Sequence, residues 1–479
     1  MMQRLCSATL IAATLFAAPP AHAQSNEELL VELRALKERI TQLEAALKAR
    51  EAKEESDAKA AAAKAAVPVP PSGMTPQQVQ DLNRVNVKAE MIEDSLEGFK
   101  GLRISGQMDP TYLYNYAQGR GGFQFLGSMR DDGYHYDSSY FGMAVIDLQK
   151  ELDSGIRLHL SLAPNRGAGS AIDTGRSIVH EASVMIPLAD SQTRLLAGQI
   201  PSWSGYEAAL PNQNRLITHN LLFDFTQPRA LTGAGAEWVT GQWIVKGMVA
   251  NIDEGLRPSG QKTPVIAYRA DWAKGEYRGY GFAGVHGKAP NRVNGGTSGG
   301  TSVGTNGGPD TTLNLFEVDG YYSGSGWTVQ GQLAIGSQSD GAITRDPTTG
   351  ALRASRWWGV SGLFAYRLMP RLEGIVRVDY LNNAGNGGGL YGSGADARDG
   401  FGPEMIGRSA DGRLLFRNAD LGASRLALSV GMNYVFNANV SFKAEYRLDH
   451  ATLPVFEMVS DGSFRRSNHL LGASMVLSF

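Results

Sequence analysis

The chain has 479 residues, of which 42% are hydrophobic and 19% charged, with a formal net charge of −2 at pH 7. It holds no unbroken apolar run of about 18 residues, which excludes hydrophobic helical spans, and its balanced charge gives no basic footprint for nucleic acid. Glycine fills 58 positions, about 12% against a usual ~7%. Length alone suggests roughly two to four domains. Two classes remain: a soluble multidomain protein, or a β-barrel whose membrane signal is diluted by alternation.

Residues 1–23 have the layout of a secretory signal peptide. Arg4 gives the charged start, Leu10 to Ala18 the apolar core, and Ala21 and Ala23 the small residues before Gln24. Cys6, the single cysteine, falls inside this segment. The remainder is expected to rely on a large core or on sheet closure in place of disulfides.

Residues 24–56 carry heptads. Leu29, Leu36 and Leu43 take d, and Leu33, Ile40 and Leu47 take a, which predicts a coiled coil. In a parallel arrangement Glu32 meets Lys37 of the next helix, and Arg39 meets Glu44, opposite in sign both times. The stretch Arg39-Ile40-Thr41-Gln42-Leu43-Glu44 resembles a short pattern that favours parallel trimers. Residues 57–75 form an Ala/Lys/Pro linker, stiffened by Pro68, Pro70 and Pro71. A short helix is expected over 76–98, with Thr75 and Gln78 as a capping box and Gly98 after its end.

From 99 to 479 the period changes to two. Leu426, Leu428, Val430 and Met432 alternate with Arg425, Ala427, Ser429 and Gly431; Phe442, Ala444 and Tyr446 alternate with Lys443, Glu445 and Arg447. Strands are expected near 102–117, 139–151, 155–165, 177–188, 192–200, 231–240, 243–251, 263–273, 276–286, 312–322, 327–336, 356–368, 371–381, 423–436, 438–448 and 465–479. Short gaps alternate with long, polar, often Gly-rich ones. An even strand count with this alternation predicts an all-β transmembrane barrel of about 16 antiparallel strands. Aromatics on the strands, among them Tyr112, Tyr140, Trp327, Trp358, Tyr446 and the terminal Phe479, suit interface girdles.

Charge at a strand centre is costly against lipid and belongs in the lumen. The expected basic set includes Arg157, Arg194, Arg278, Arg356, Arg377, Lys443 and Arg447, with His159 beside them, faced by acids such as Glu181 and Asp379. Near balance permits a slight anion preference. The third long gap, 201–230, is less Gly-rich and carries Leu216-Ile217 and Leu221-Leu222-Phe223, which suits a loop folded inward onto the wall. By resemblance to trimeric diffusion porins, whose third external loop narrows the pore, Arg215, His219, Asn220 and Arg229 become constriction candidates facing Asp224. The bland alternative is that they cap the loop's own backbone.

Catalytic motifs are weak. Two GxSxG matches, at Gly296–Gly300 and Gly300–Gly304, sit in a Gly/Ser/Thr-rich loop without the strand and helix a nucleophile elbow needs. His180-Glu181 has no second His four residues on, so no metal site is expected. His159 and Ser161 share one strand face, where lumen lining is the simpler reading.

Asp109-Pro110-Thr111-Tyr112, Ile178 to Ser183, Ala197 to Pro201, and His219 to Asp224 together resemble a largely uncharacterised proteobacterial outer-membrane porin family with a coiled-coil amino terminus. The architecture is more distantly similar to the DcaP-like trimeric porins, which favour negatively charged small solutes, although their ligand residues have no match here. The resemblance implies a non-enzymatic outer-membrane homotrimer with the coil in the periplasm, embedded in outer-membrane lipid. It would pass small polar or anionic solutes without metal or cofactor. The competing expectations are an envelope spacer that binds cell wall or another periplasmic partner, and an outer-membrane hydrolase.

Overall fold

The computed structural model describes residues 99–125, 141–163, 178–188, 192–252, 263–274, 277–289, 311–342, 346, 348–349, 351, 353–386, 389–390, 402–410 and 414–479. The chain divides into two compact units, Met1–Gly98 and Phe99–Phe479, and the second is described below. The expected signal peptide, linker, short helix and coiled coil, with Leu29, Leu33, Leu36, Arg39, Ile40, Leu43, Glu44 and Leu47, lie outside the described residues.

The alternating segments form one antiparallel sheet that closes on itself. Strand β1 is built of Leu102–Met108 and Thr111–Asn115, and β2 of Arg120–Gln124 and Ala144–Glu151. There follow β3 (Arg157–Leu162), β4 (Val179–Pro187), β5 (Thr193–Pro201), β6 (Ala230–Thr240), β7 (Trp243–Ile252) and β8 (Val265–Lys274). Then come β9 (Arg278–Ala289), β10 (Thr311–Ser323), β11 (Trp327–Gln338) and β12 (Ser355–Met369). The last four are β13 (Leu372–Asn382), β14 (Arg425–Val435), β15 (Val440–Ala451) and β16 (Ser467–Ser478). Two split strands turn the 18 segments of the sheet into a 16-stranded barrel. The ladder closes where β16 meets β1, through Met108↔Leu477 and Thr111↔Ser474. Closure satisfies every edge, which a strand-built membrane span requires. The terminal Phe479 completes the seam, exchanging backbone hydrogen bonds with Gly106 at 3.0 and 3.1 Å.

The expected long gap over 118–138 is corrected. Arg120–Gln124 already pairs with Thr111–Asn115, so the first turn is tight and the excursion comes in mid-β2, between Gln124 and Ala144. The cause is Asp109-Pro110. Pro110 brings no N–H to the ladder, and beside it the Asp109 carboxylate satisfies two backbone donors where β2 is interrupted, accepting from Met143 N at 2.5 Å and Gly142 N at 3.0 Å. Two small hairpins, Met405–Arg408 with Leu414–Phe416 and Phe456–Glu457 with Phe464–Arg465, also stand in stretches read as loops. They are too brief for period two to register.

Outward positions are apolar and exposed: Leu426, Leu428, Val430 and Met432 on β14, and Val376 and Val378 on β13. Inward positions between them are buried and polar. Rings cluster at both strand ends. Trp272 stacks on Tyr280 at 5.2 Å and Tyr322 on Trp327 at 5.1 Å at the short-turn end, whereas Trp358 lies by Tyr380 at the long-loop end. Two of the expected lumen charges, Arg278 and Arg356, instead share the outward face, with Tyr280 and Trp358 respectively. Both lie at strand ends, where the cost of a cation falls to about 0–1 kcal/mol.

Candidate functional site

The connection between β5 and β6 folds into the barrel. Its apolar residues decide this, because each finds a different part of the inner wall. Leu216 packs with Leu363, Ala365 and Ile375. Ile217 packs with Leu113 and Leu470, Phe223 with Met143, Val145 and Ala163, and Leu221 and Phe225 with a cluster that includes Leu196, Met248, Val285, Leu315 and Leu381. The loop thus shares apolar clusters with residues of many strands. At its centre is a short helix, α1 (Leu221–Phe225), capped by the Asn220 side chain, which accepts from Phe223 N at 2.8 Å.

Buried wall charges grip the loop backbone. Arg377 donates to Thr218 O at 2.6 Å and His219 O at 2.9 Å, and Arg447 to His219 O at 3.0 Å. Lys443 donates to Pro211 O and Asn214 O, both at 2.6 Å. Glu445 accepts from Ile217 N, Thr218 N and Thr218 Oγ1 at 2.7, 2.8 and 2.6 Å. The loop returns an acid and a base: Glu207 meets Arg377 at 2.9 Å and Arg215 meets Glu373 at 3.2 Å. A buried guanidinium needs several acceptors at once, and the buried carbonyls of Thr218 and His219 supply them. Tyr206 adds a 2.6 Å hydroxyl contact to Ser361.

The expected water-facing eyelet at His219, Asn220, Asp224 and Arg229 is therefore corrected: all four are buried. His219 stacks on Phe223 at 4.0 Å and contacts Ala208 O at 2.7 Å. Arg229 donates to Asp224 O at 2.8 Å. Their neighbours Leu221, Leu222 and Phe223 draw them out of water. Arg377, Lys443 and Arg447, also expected to line the pore, are buried beneath the loop. Arg215 keeps about a third of its side chain exposed beside Glu373, at 3.2 Å.

Water reaches the opposite wall, toward the short-turn end. There His159 Nε2 lies 3.0 Å from Asp147 and Nδ1 3.0 Å from Glu181. Arg194 meets Glu237 at 3.2 Å, and Arg157 lies 3.4 Å from Glu151. Both nitrogens of His159 are engaged by carboxylates, which leaves no ring base to activate Ser161. The two GxSxG matches lie outside the described residues.

Burial sets the protonation of the loop. It pushes the Glu207 carboxyl up to about 7, against the pull of Arg377. It pushes His219 down to about 3, so the ring is neutral. Tyr206 is driven well above the usual phenol range, first by burial and then by the Glu207 charge. Sequence reading had no signal for Glu207, whose partner is 170 residues away. Glu445 was visible only as one inward position on β15.

A family model described as "Protein of unknown function (DUF3138)" matches residues 1–479. No curated protein matches. Among solved structures, the in-vitro folded OmpT, an outer membrane protein of Vibrio cholerae, is 10% identical, covers 79% of this chain and 97% of its own, and has a TM-score of 0.47. An anion-selective porin from Comamonas acidovorans is 10% identical over 79% and 99%, with a TM-score of 0.45. Pseudomonas putida OprB is 11% identical over 81% and 96%, with a TM-score of 0.47.

Proposed function

We propose, from the premise that this chain belongs to the DUF3138 family along its whole length, that it is an outer-membrane porin passing small hydrophilic solutes by diffusion. One observation carries the reading: a closed 16-stranded barrel has an apolar outer wall, a charged inner wall and its third long connection folded inside. About 16 strands enclose an aqueous lumen. Solutes would be sorted where the wet wall of Asp147, His159, Glu181, Arg194 and Glu237 faces the inward loop and Arg215. These charges are largely paired, so the selectivity that follows is weak, with at most a mild anion preference. Three barrels are held in register by the amino-terminal coil in the periplasm, and outer-membrane lipid surrounds them.

Planar-bilayer recording on purified protein tests this. Discrete conducting steps with a small reversal potential under a salt gradient are expected; silent bilayers would overturn it. A second reading draws on the loop's packing against several parts of the inner wall: an occluded barrel that anchors a coil bound to cell wall or another periplasmic partner. Silent bilayers combined with retention on peptidoglycan would favour it.

A further inference from the structure

The outer wall carries a cavity that conduction does not use. It lies at the long-loop end of β15, β16 and β1, holds about 600 Å³, and is lined by Tyr116, Tyr446, Arg465, Arg466, Ser467 and His469. Its parts are fixed to one another. The Tyr446 hydroxyl lies 2.6 Å from His469 Nδ1, and the Tyr116 ring meets the His469 ring edge-on at 5.7 Å. His450 lies on the same face, with Nδ1 2.8 Å from Ser467 Oγ. A phenol donating to Nδ1 leaves the other ring nitrogen of His469 as a donor. Below the cavity the face turns apolar, with Tyr114 and Leu471 exposed. At its rim, Arg465 keeps only a loose 3.6 Å contact with Asp461, both half exposed. Arg466 forms no ion pair described among the described residues.

We propose that this cavity binds the phosphate of an anionic lipid in the leaflet at the long-loop end. Cations just beyond a lipid-facing apolar band sit at headgroup depth and attract anionic headgroups. Guanidinium forks match phosphate oxygens in pairs. Amphipathic tyrosine rings keep one end in the acyl region and one in the polar layer. The apolar floor selects a phosphate attached to acyl chains over a free anion. This rests on the barrel being membrane-embedded and not on its conducting, so silent bilayers would leave it standing.

Native mass spectrometry of the detergent-solubilised full chain tests it, with diphosphorylated lipid A, its dephosphorylated form, and inorganic phosphate as probes. The phosphorylated lipid is expected to bind, and Arg465→Ala with Arg466→Ala to weaken it about tenfold or more, as loss of charge-assisted hydrogen bonds dictates. The double Lys variant should retain most binding, and a heat-modifiability gel checks that each variant folds. Equal binding of the dephosphorylated lipid, unchanged binding by the double variant, or displacement by inorganic phosphate alone would overturn the proposal. So would a double variant that changes only the oligomer, which would mark the face as an interface between copies.

Discussion

The carboxylate of Glu445 on β15 holds Thr218 of the inward loop twice, accepting from its backbone N–H at 2.8 Å and its hydroxyl at 2.6 Å. The same carboxylate takes the N–H of Ile217. Truncation by Glu445→Ala strands three buried donors, each costing about 1–3 kcal/mol. The loop should then leave the wall for part of the time. Protease cleavage within 201–230 is expected to quicken at least about tenfold, and single-channel current to become larger and noisier. Unchanged cleavage would mean that Arg377, Arg447 and Lys443 hold the loop without Glu445.

Loop seating should depend on pH through Glu207. Free in water its carboxyl titrates near 4.5, but seated it titrates at about 7. The seated loop therefore binds more protons between those values. Its advantage is full below the free value and is lost as pH rises through about 7. Arg377, Asp379, Glu445 and Lys443 are the charges that face it. His219 works the other way, since its seated ring is neutral: its contribution is lost only as pH falls from 6.5 toward about 3. Recording between about 6.5 and 8.5 leaves the seated His219 neutral, and the Glu207→Gln variant separates Glu207 from the other groups that titrate there. Conductance should rise across that interval, and Glu207→Gln should flatten the rise. A rise that survives the substitution would assign it elsewhere.

Gly198 on β5 has φ +121, and a Cβ there would collide with the Ala182 carbonyl oxygen of β4. Gly198→Ala should cost about 1–3 kcal/mol of backbone strain. The expected result is slower barrel insertion into vesicles and unfolding at lower temperature on a heat-modifiability gel. Wild-type kinetics would show that the β4–β5 pair shifts register freely.

Deleting residues 25–56 should weaken the trimer on native gels while leaving the barrel resistant to denaturant. A trimer of undiminished stability would show that barrel faces alone carry assembly.

The sixteen strands were legible because one lipid-facing side and one wet side impose period two over most of the wall, as on β14 and β15. Inward folding of the third long connection was legible too, from Leu216-Ile217 and Leu221 to Phe223. The roles of the polar residues were not. Asn220 and Arg229 looked like pore groups, yet their apolar neighbours carry them into packing, a consequence of tertiary position with no local mark. The Glu207–Arg377 pair joins elements far apart in sequence. Some short motifs acquire reasons only in three dimensions. Asp109 accepts from two backbone N–H groups where β2 is interrupted, and Gly198 lies opposite Ser183 in the β4–β5 register.

The break at Asp109-Pro110 falls beside the seam where the first and last strands meet. Between β9 and β10 the ladder runs unbroken, whereas β3–β4 and β12–β13 each carry a register shift. At the seam, Met108↔Leu477 and Thr111↔Ser474 keep one register across Asp109-Pro110, joined there by the 3.2 Å bond from Met475 N to Pro110 O and the 3.0 Å bond from Thr111 Oγ1 to Ser474. A closing seam that contains a proline is short of one ladder donor there, which gives the cylinder a built-in mechanical polarity. Lateral stress in the bilayer concentrates along that line, so amides of β1 and β16 should exchange with deuterium ahead of those on β9 and β10.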